Sequence, residues 1–506
     1  MSTLERPLDP LTSPDPTRSA ASADAARPTT ALILVGLSML GTALLPVLAH
    51  VVATTVLVVV GSVVALVTVA LMVGVRGSSS HTPGLHRRLD LPATARSSGR
   101  MAWELALHLS PVILLTAAYP LAAQRIVGVQ IGGVDLMTLL LASSVTVPWL
   151  TQSGCLPIYR VVGPLLPVQS DEDLDRVKAA FLRFWPGAFV QALPVVALFA
   201  VLVESVLRLP LAALAVYVGL CLAHLAFVQA LVVVNAGRRR GLWALSWAAY
   251  AAALLAAPAL WFLPPLVATL VACWSLRGAL TPARESLGVR TLPMREVAVD
   301  LLRGLLLGSV LWADKVLVFL AGGGQFAVQT VFLALMPAVV AYNFYFVRLA
   351  PRFDRGVLDL RDAMESLPAS RLTGVSAGLV GTVVATVARA ALVGALLTIA
   401  LTAVVVALDP ADAVLSATVS VASWLFLVIT LLAYKLDYIG ERVRAQVISG
   451  AHLLIAVLAF TLFSGTASYA VLALGDTLVL ALALHQARDR WRSPEFTLFW
   501  RHATGW

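Results

Sequence analysis

The sequence predicts an all-α polytopic membrane protein with about 14 transmembrane helices. Three observations carry that reading. Hydrophobic residues fill 59% of the 506 positions and charged residues only 12%, and the mean hydropathy is +0.89. A soluble chain of this length has nowhere to bury so much apolar surface. Apolar runs of about 20 residues recur, the length that crosses a ~30 Å hydrocarbon core as a helix. The basic residues, which give a formal charge of +9, are spread over many short connections rather than gathered in one patch. That spread excludes nucleic acid as a partner and fits orientation in a membrane.

Residues 1–30 are rich in Pro, Ser, Ala, Asp and Thr and are expected to be a disordered cytoplasmic tail. The apolar stretch 31–75 runs far past the h-region of a signal peptide. It is long enough for two helices that turn near His50. Residues 76–100 form a polar cytoplasmic loop with five arginines. Helices are then expected at 101–122, 127–150, 185–207, 209–235, 242–262 and 263–280. A cytoplasmic linker at 281–299 leads to six more, at 300–321, 325–347, 387–408, 413–434, 446–464 and 468–487. A cytoplasmic tail, 488–506, closes the chain.

Two connections look partly helical. Ser170-Asp-Glu-Asp173 opens an amphipathic run to Phe184 with a capping-box-like start, and 357–367 is a second short amphipathic piece. Both read as helices on the membrane surface, with docking of a cytoplasmic partner as the alternative. Trp243, Trp247, Trp261, Trp274, Trp312 and Trp424 mostly fall near expected helix ends, as interfacial aromatics do. The start of the eleventh helix is the least defined, because 375–408 is apolar apart from Arg389.

Charge sets the orientation. Of 36 Lys and Arg residues, only Arg125, Arg208, Arg303 and Lys315 lie outside the tails and the even-numbered connections, leaving 32 within them. Such asymmetry puts both termini and every long loop in the cytoplasm.

The stretch 304–322 reads as a spanning helix, yet it holds Asp314 and Lys315. A charge at mid-bilayer costs roughly 2.5–3.5 kcal/mol on insertion scales, so such residues face a cavity or a partner. Adjacent helical residues point about 100° apart, so these two need not neutralise each other. Arg303 precedes Asp314 by eleven residues, close to a whole number of turns, which puts both on one polar face. Asp300 and Arg303 are near the inner end and can snorkel. Asp314 and Lys315 are too deep for that, and stand for a pathway or coupling role against a buried structural pair.

Asp476, mid-helix in the last span, is a candidate partner for Lys315. Glu104 and His108 lie one turn apart near the inner end of the third helix, as an interfacial pair or part of a pathway. His224 reads as a helix–helix hydrogen-bonder. Glu204 and Asp135, near the outer surface, need no special role. Tyr342 and Asn343 open the run Tyr342-Asn-Phe-Tyr-Phe-Val-Arg348. An aromatic belt accounts for it, and a sugar-binding platform is the sharper alternative.

Soluble-enzyme chemistry is absent. No P-loop, strand-borne GxGxxG, HExxH or nucleophile elbow occurs, so no catalytic residue is expected. Cys155, Cys221 and Cys273 have neither metal-ligand spacing nor a redox motif, and no metal or other cofactor is expected. No cytoplasmic connection exceeds about 40 residues, too short for an ATPase or glycosyltransferase domain.

Leu311-Trp312-Ala313-Asp314-Lys315, then Ala321-Gly-Gly-Gly324, Met336-Pro337 and Phe344-Tyr-Phe-Val-Arg348, resemble the Pel-exopolysaccharide transporter family. That family belongs to the multidrug/oligosaccharidyl-lipid/polysaccharide exporter superfamily. Leu431-Leu-Ala-Tyr-Lys-Leu-Asp437 and Pro494-Glu-Phe-Thr-Leu-Phe499 resemble the family's close. The chain departs from the pattern at Leu349-Ala-Pro-Arg352, where the family often has acidic residues. It also departs in the tryptophans around the Asp-Lys pair and in the extra N-terminal helix pair.

The resemblance implies two six-helix lobes, 101–280 and 300–487, around a central cavity that Asp314 and Lys315 would face. It also implies export of a polysaccharide or lipid-linked sugar across the cytoplasmic membrane by alternating access. Membrane lipids, the glycan substrate and a cytoplasmic glycosyltransferase are the expected partners. The alternatives are an efflux carrier for small cationic compounds and a non-transporting scaffold for a glycan synthase.

Overall fold

The computed structural model describes residues 103–166, 168, 170–279, 290–408 and 411–504. The expected tail 1–30, helix pair 31–75 and loop 76–100 lie outside the described residues. Apart from one antiparallel hairpin, β1 (Gln130–Ile131) with β2 (Val134–Asp135), the described elements are helical. Eight of the helices are long and apolar enough to cross a membrane. The chain is an all-α polytopic membrane protein.

The first half comprises α1 (Ser110–Ile126), α2 (Leu136–Gly154), α3 (Leu156–Val162), α4 (Asp171–Leu207), α5 (Leu211–Ala236), α6 (Arg240–Ala256) and α7 (Leu263–Cys273). The second comprises α8 (Met294–Ala321), α9 (Val328–Phe344), α10 (Ala350–Ser366), α11 (Ala369–Leu408), α12 (Ala413–Tyr438), α13 (Arg442–Leu462) and α14 (Thr466–Arg490). A short α15 (Pro494–Thr504) follows.

The same neighbour relations occur twice. α1 lies on α6 as α8 lies on α13, and α2 on α5 as α9 on α12. α4 lies on α5 as α11 on α12, and α7 closes on α5 and α6 as α14 closes on α12 and α13. Each half is therefore a six-helix unit built on one plan, with α3 and α10 as additions. α12 is the axis of the second unit, buried along nearly its whole length.

Several expected boundaries move, each for a local reason. The second span of the first half starts at Leu136 rather than 127, because Gly128, Gly132 and Gly133 take positive φ and turn the chain into the hairpin. The amphipathic run from Ser170 is not a separate surface helix: it continues into the span as the 37-residue α4. Its capping box forms as the sequence suggests, with Ser170 Oγ accepting from Asp173 N and Asp173 Oδ2 accepting from Ser170 N.

The piece at 357–367 likewise belongs to a longer helix. α9, a π turn (Tyr345–Leu349) and α10 run on without a break, with Phe353, Val357 and Leu360 buried against α11. α11 begins at 369 and spans 40 residues, far earlier than expected. Its partner α10 covers the apolar face that would otherwise mark a membrane boundary. Trp424 is no interfacial aromatic: it is 1% exposed, and its Nε1 donates to Ala391 O at 2.8 Å.

Candidate functional site

α8 joins the two halves. It lies along α2, α3 and α4 of the first and along α12 and α13 of its own. Close approach to α2 is possible because Gly304 and Gly308 present no side chain there, a small-xxx-small pattern. A Cβ at Gly304 would overlap Ser153 Cα, and one at Gly308 would lie 2.9 Å from Gln152 Cβ. Ser153 Oγ donates to Leu301 O at 2.6 Å and Trp149 Nε1 to Leu305 O at 2.8 Å, which fixes the register.

Ion pairs cluster at the N-terminal end of α8. Arg160 of α3 grips Asp300 in bidentate fashion, at 2.6 and 2.9 Å, and also reaches Glu296 at 3.0 Å. Arg303 forms a second bidentate pair, with Asp437 of α12. Asp300 and Arg303 are thus held by partners rather than free to snorkel. Leu292, just before α8, is tied down beside them, with Gln191 Nε2 of α4 donating to Leu292 O at 2.7 Å.

Asp314 and Lys315 are entirely buried, and they are paired after all. Lys315 Nζ lies 2.8 Å from Asp314 Oδ1 and donates to Leu311 O at 3.2 Å. Geometry allows this because the long lysine stem folds back along the helix. Arg303 and Asp314 do share a face, and both reach helices of the second half. The Tyr469 hydroxyl of α14 donates to Asp314 Oδ2 at 3.4 Å. The ammonium of Lys315 lies 5.1 Å from the Phe426 ring of α12. These two charges therefore face the interior of their own half, not an open cavity between halves.

Asp476 does not pair with Lys315. It takes His452 of α13, whose Nδ1 is 2.8 Å from Asp476 Oδ1, both side chains wholly buried. Phe426 links the two pairs, since its ring also meets His452 edge-on at 5.2 Å. Asp476 Oδ2 and His452 Nε2 have no hydrogen-bond partner among the described residues, nor do the buried hydroxyls of Ser449 and Ser468 on the same two helices. The cluster brings two carboxyl groups, one lysine and one imidazole together away from solvent. A net charge left at this depth would be costly.

The first half differs. His224 Nδ1 meets Leu220 O at 2.7 Å, and its Nε2 meets the Tyr250 hydroxyl at 2.9 Å across α5 and α6, so both ring nitrogens are used. This is the helix–helix hydrogen bond the sequence suggests. Glu104 and His108 lie together just before α1. His108 stacks on Trp243 at 5.4 Å, and Arg240 Nη1 lies 3.0 Å from its Nδ1. The charge of Glu104 acts on the Arg240 guanidinium. Glu204 Oε2 accepts from Leu209 N at 2.8 Å and so ties the chain turn after α4.

Tyr342 and Asn343 lie on the last turn of α9. Asn343 spends its amide on its own helix, donating to Val339 O at 2.7 Å. Tyr342 stacks obliquely on Phe346 at 4.7 Å, and Phe346 meets Tyr434 edge-on at 6.4 Å. The Tyr434 hydroxyl donates to Gln152 Oε1 of α2 at 3.0 Å, so this aromatic group touches both halves. Tyr159 of α3 faces the same hydroxyls and the side chain of Asn235.

No family model matches the chain, and no curated protein matches it. Among solved structures, the chain is similar to one described as "Crystal structure of MATE P26A mutant". The two are 11% identical, with a TM-score of 0.37 over 78% of this chain and 96% of that one.

Proposed function

We propose that this protein is a transporter that exports a polysaccharide or lipid-linked sugar by alternating access between its two six-helix units. The observation that carries this reading is the Asp314–Lys315/His452–Asp476 cluster. It is a buried set of paired groups whose balance a proton or cation would change, and one of its two pairs lies on the very helix that forms the joint with the other unit. A change in occupancy there alters how α8 is held by α13 and α14, and α8 in turn bears on α2. Charge is thereby linked to the angle between the units, which is what a secondary transporter requires.

Sugar as substrate rests on the aromatic group Tyr342, Phe346 and Tyr434, whose faces suit the apolar faces of pyranose rings. The charge asymmetry of the connections orients both termini to the cytoplasm, and with them the N-terminal end of α8. A small cationic substrate is a weaker reading, since Arg303 and Lys315 flank the acids.

The test is movement of a fluorescent polyprenyl-diphosphate sugar across liposomes containing the purified full-length chain. Protein-dependent translocation supports the transporter. Its absence, with folded protein in the bilayer, supports a scaffold for a glycan synthase.

A further inference from the structure

We propose that Arg348, Arg352, Arg355 and Arg389 form a clamp for the phosphate of a lipid in the cytoplasmic leaflet. α9, the π turn and α10 make one 39-residue helix, about 58 Å long, antiparallel to the 40-residue α11. Twice the ~30 Å hydrocarbon thickness is thus covered by each arm, and about half of the hairpin stands in the cytoplasm.

The outer ends are aligned, since Thr330 Oγ1 donates to Asp412 Oδ2 at 2.6 Å. Counting from there, Arg348 comes twenty residues after Val328 and Arg389 nineteen before Leu408. Both therefore reach the headgroup level after about 30 Å. The contacts between the arms give the same register. A Cβ on Gly356 would sit 3.0 Å from Leu379, and Phe353 and Val383 share one apolar cluster. Continuing that register sets Arg348 beside Arg389. Arg352 and Arg355 follow at one-turn spacing on the same arm, and Arg352 lies in the field of the other three.

Four like charges at this spacing repel one another unless an anion stands between them. No carboxylate pairs with any of the four among the described residues. Arg355 spends only its Nε, on Pro351 O at 3.1 Å. Asp354, the nearest acid in sequence, turns instead to Tyr438 and Lys435. Exposed guanidinium forks at headgroup depth match phosphate oxygens in geometry as well as charge. The phosphate could be that of an ordinary anionic phospholipid or that of a lipid-linked sugar. The inference shares its membrane orientation with the proposed function but not its transport activity, so binding can hold where transport fails.

The test titrates the purified full-length chain, in neutral detergent, with phosphatidylglycerol, phosphatidylcholine, a polyprenyl diphosphate and inorganic pyrophosphate. Bound adducts are read by native mass spectrometry. Each arginine removed should weaken phosphate binding about fivefold, so Arg352→Gln/Arg389→Gln loses about twenty-five-fold. Arg176→Gln/Arg183→Gln, of equal charge change elsewhere on the cytoplasmic side, should leave it unaltered. Preference for phosphatidylglycerol identifies a structural lipid. Preference for the polyprenyl diphosphate identifies the carrier of a substrate, and equal binding of pyrophosphate overturns a lipid as the ligand. In wild-type protein, phosphatidylglycerol or the polyprenyl diphosphate should also protect Arg348, Arg352 and Arg389 from phenylglyoxal. Equal binding by wild-type and cluster variant, an equal loss in the control variant, or no protection overturns the clamp.

Discussion

His452 Nδ1 lies 2.8 Å from Asp476 Oδ1, and neither side chain has any exposure. The two sit on neighbouring helices of a hairpin, and removing one strands the other. His452→Ala should therefore cost about 3–5 kcal/mol. His452→Ala/Asp476→Asn should recover a large part of that, because no buried charge is left alone. Thermal unfolding of the four cycle members in detergent measures it, and strictly additive losses would show that the pair does not interact.

The joint between halves depends on the bare faces of Gly304 and Gly308. Gly304→Val forces α2 and α8 apart and should lower the unfolding temperature sharply, as overpacking costs about 1–3 kcal/mol. Gly378→Ala, on a helical stretch with open space around it, should be neutral or stabilising by up to about 1 kcal/mol. Equal melting of the two variants would mean that α2 and α8 do not pack closely at Gly304.

Arg303 and Asp437 pin α8 to α12 with little solvent between them. Arg303→Met should reduce both folded yield and export. The exchange Arg303→Asp/Asp437→Arg should restore a substantial part of the yield, since the pair is re-formed in reverse. Failure of the exchange to rescue, alongside full activity of Arg303→Met, would make the pair incidental.

If the aromatic group meets sugar, Phe346→Ala should lower export several-fold while Phe346→Trp retains it, with equal folded protein in both. Stacking on an aromatic face is worth roughly 1 kcal/mol or more when desolvated, enough for that change. Equal loss in both variants would point to helix packing at the π turn rather than to substrate.

The helical, membrane-spanning character was legible because eight helices among the described residues announce themselves by apolar length. Boundaries were less so. α10 and the early part of α11 cover each other, and the sequence cannot tell an apolar face buried by a neighbour from one facing lipid. Asp314 and Lys315 stood out by depth alone, while their mutual pairing depended on how a lysine stem folds back. His452 was passed over although a signal existed. It and Asp476 each lie twelve residues from Ser464 in the turn, so an antiparallel hairpin sets them at one level. The partners Arg160 and Asp437 could not be read, because they meet α8 across 140 and 134 residues of chain.

Under the proposed function, charge at Asp314 couples the two halves. The most direct measurement compares exported glycan on cells holding equal amounts of folded wild-type and Asp314→Asn protein. Asn keeps the shape and a hydrogen-bonding oxygen, so it isolates the charge, and Lys315 then loses its counter-ion. Export should fall below about a tenth of wild type, the effect of a single lost charge interaction worth ~1.4 kcal/mol or more. Wild-type export by Asp314→Asn would contradict the coupling role, and loss of the folded protein itself would reduce the pair to a structural one.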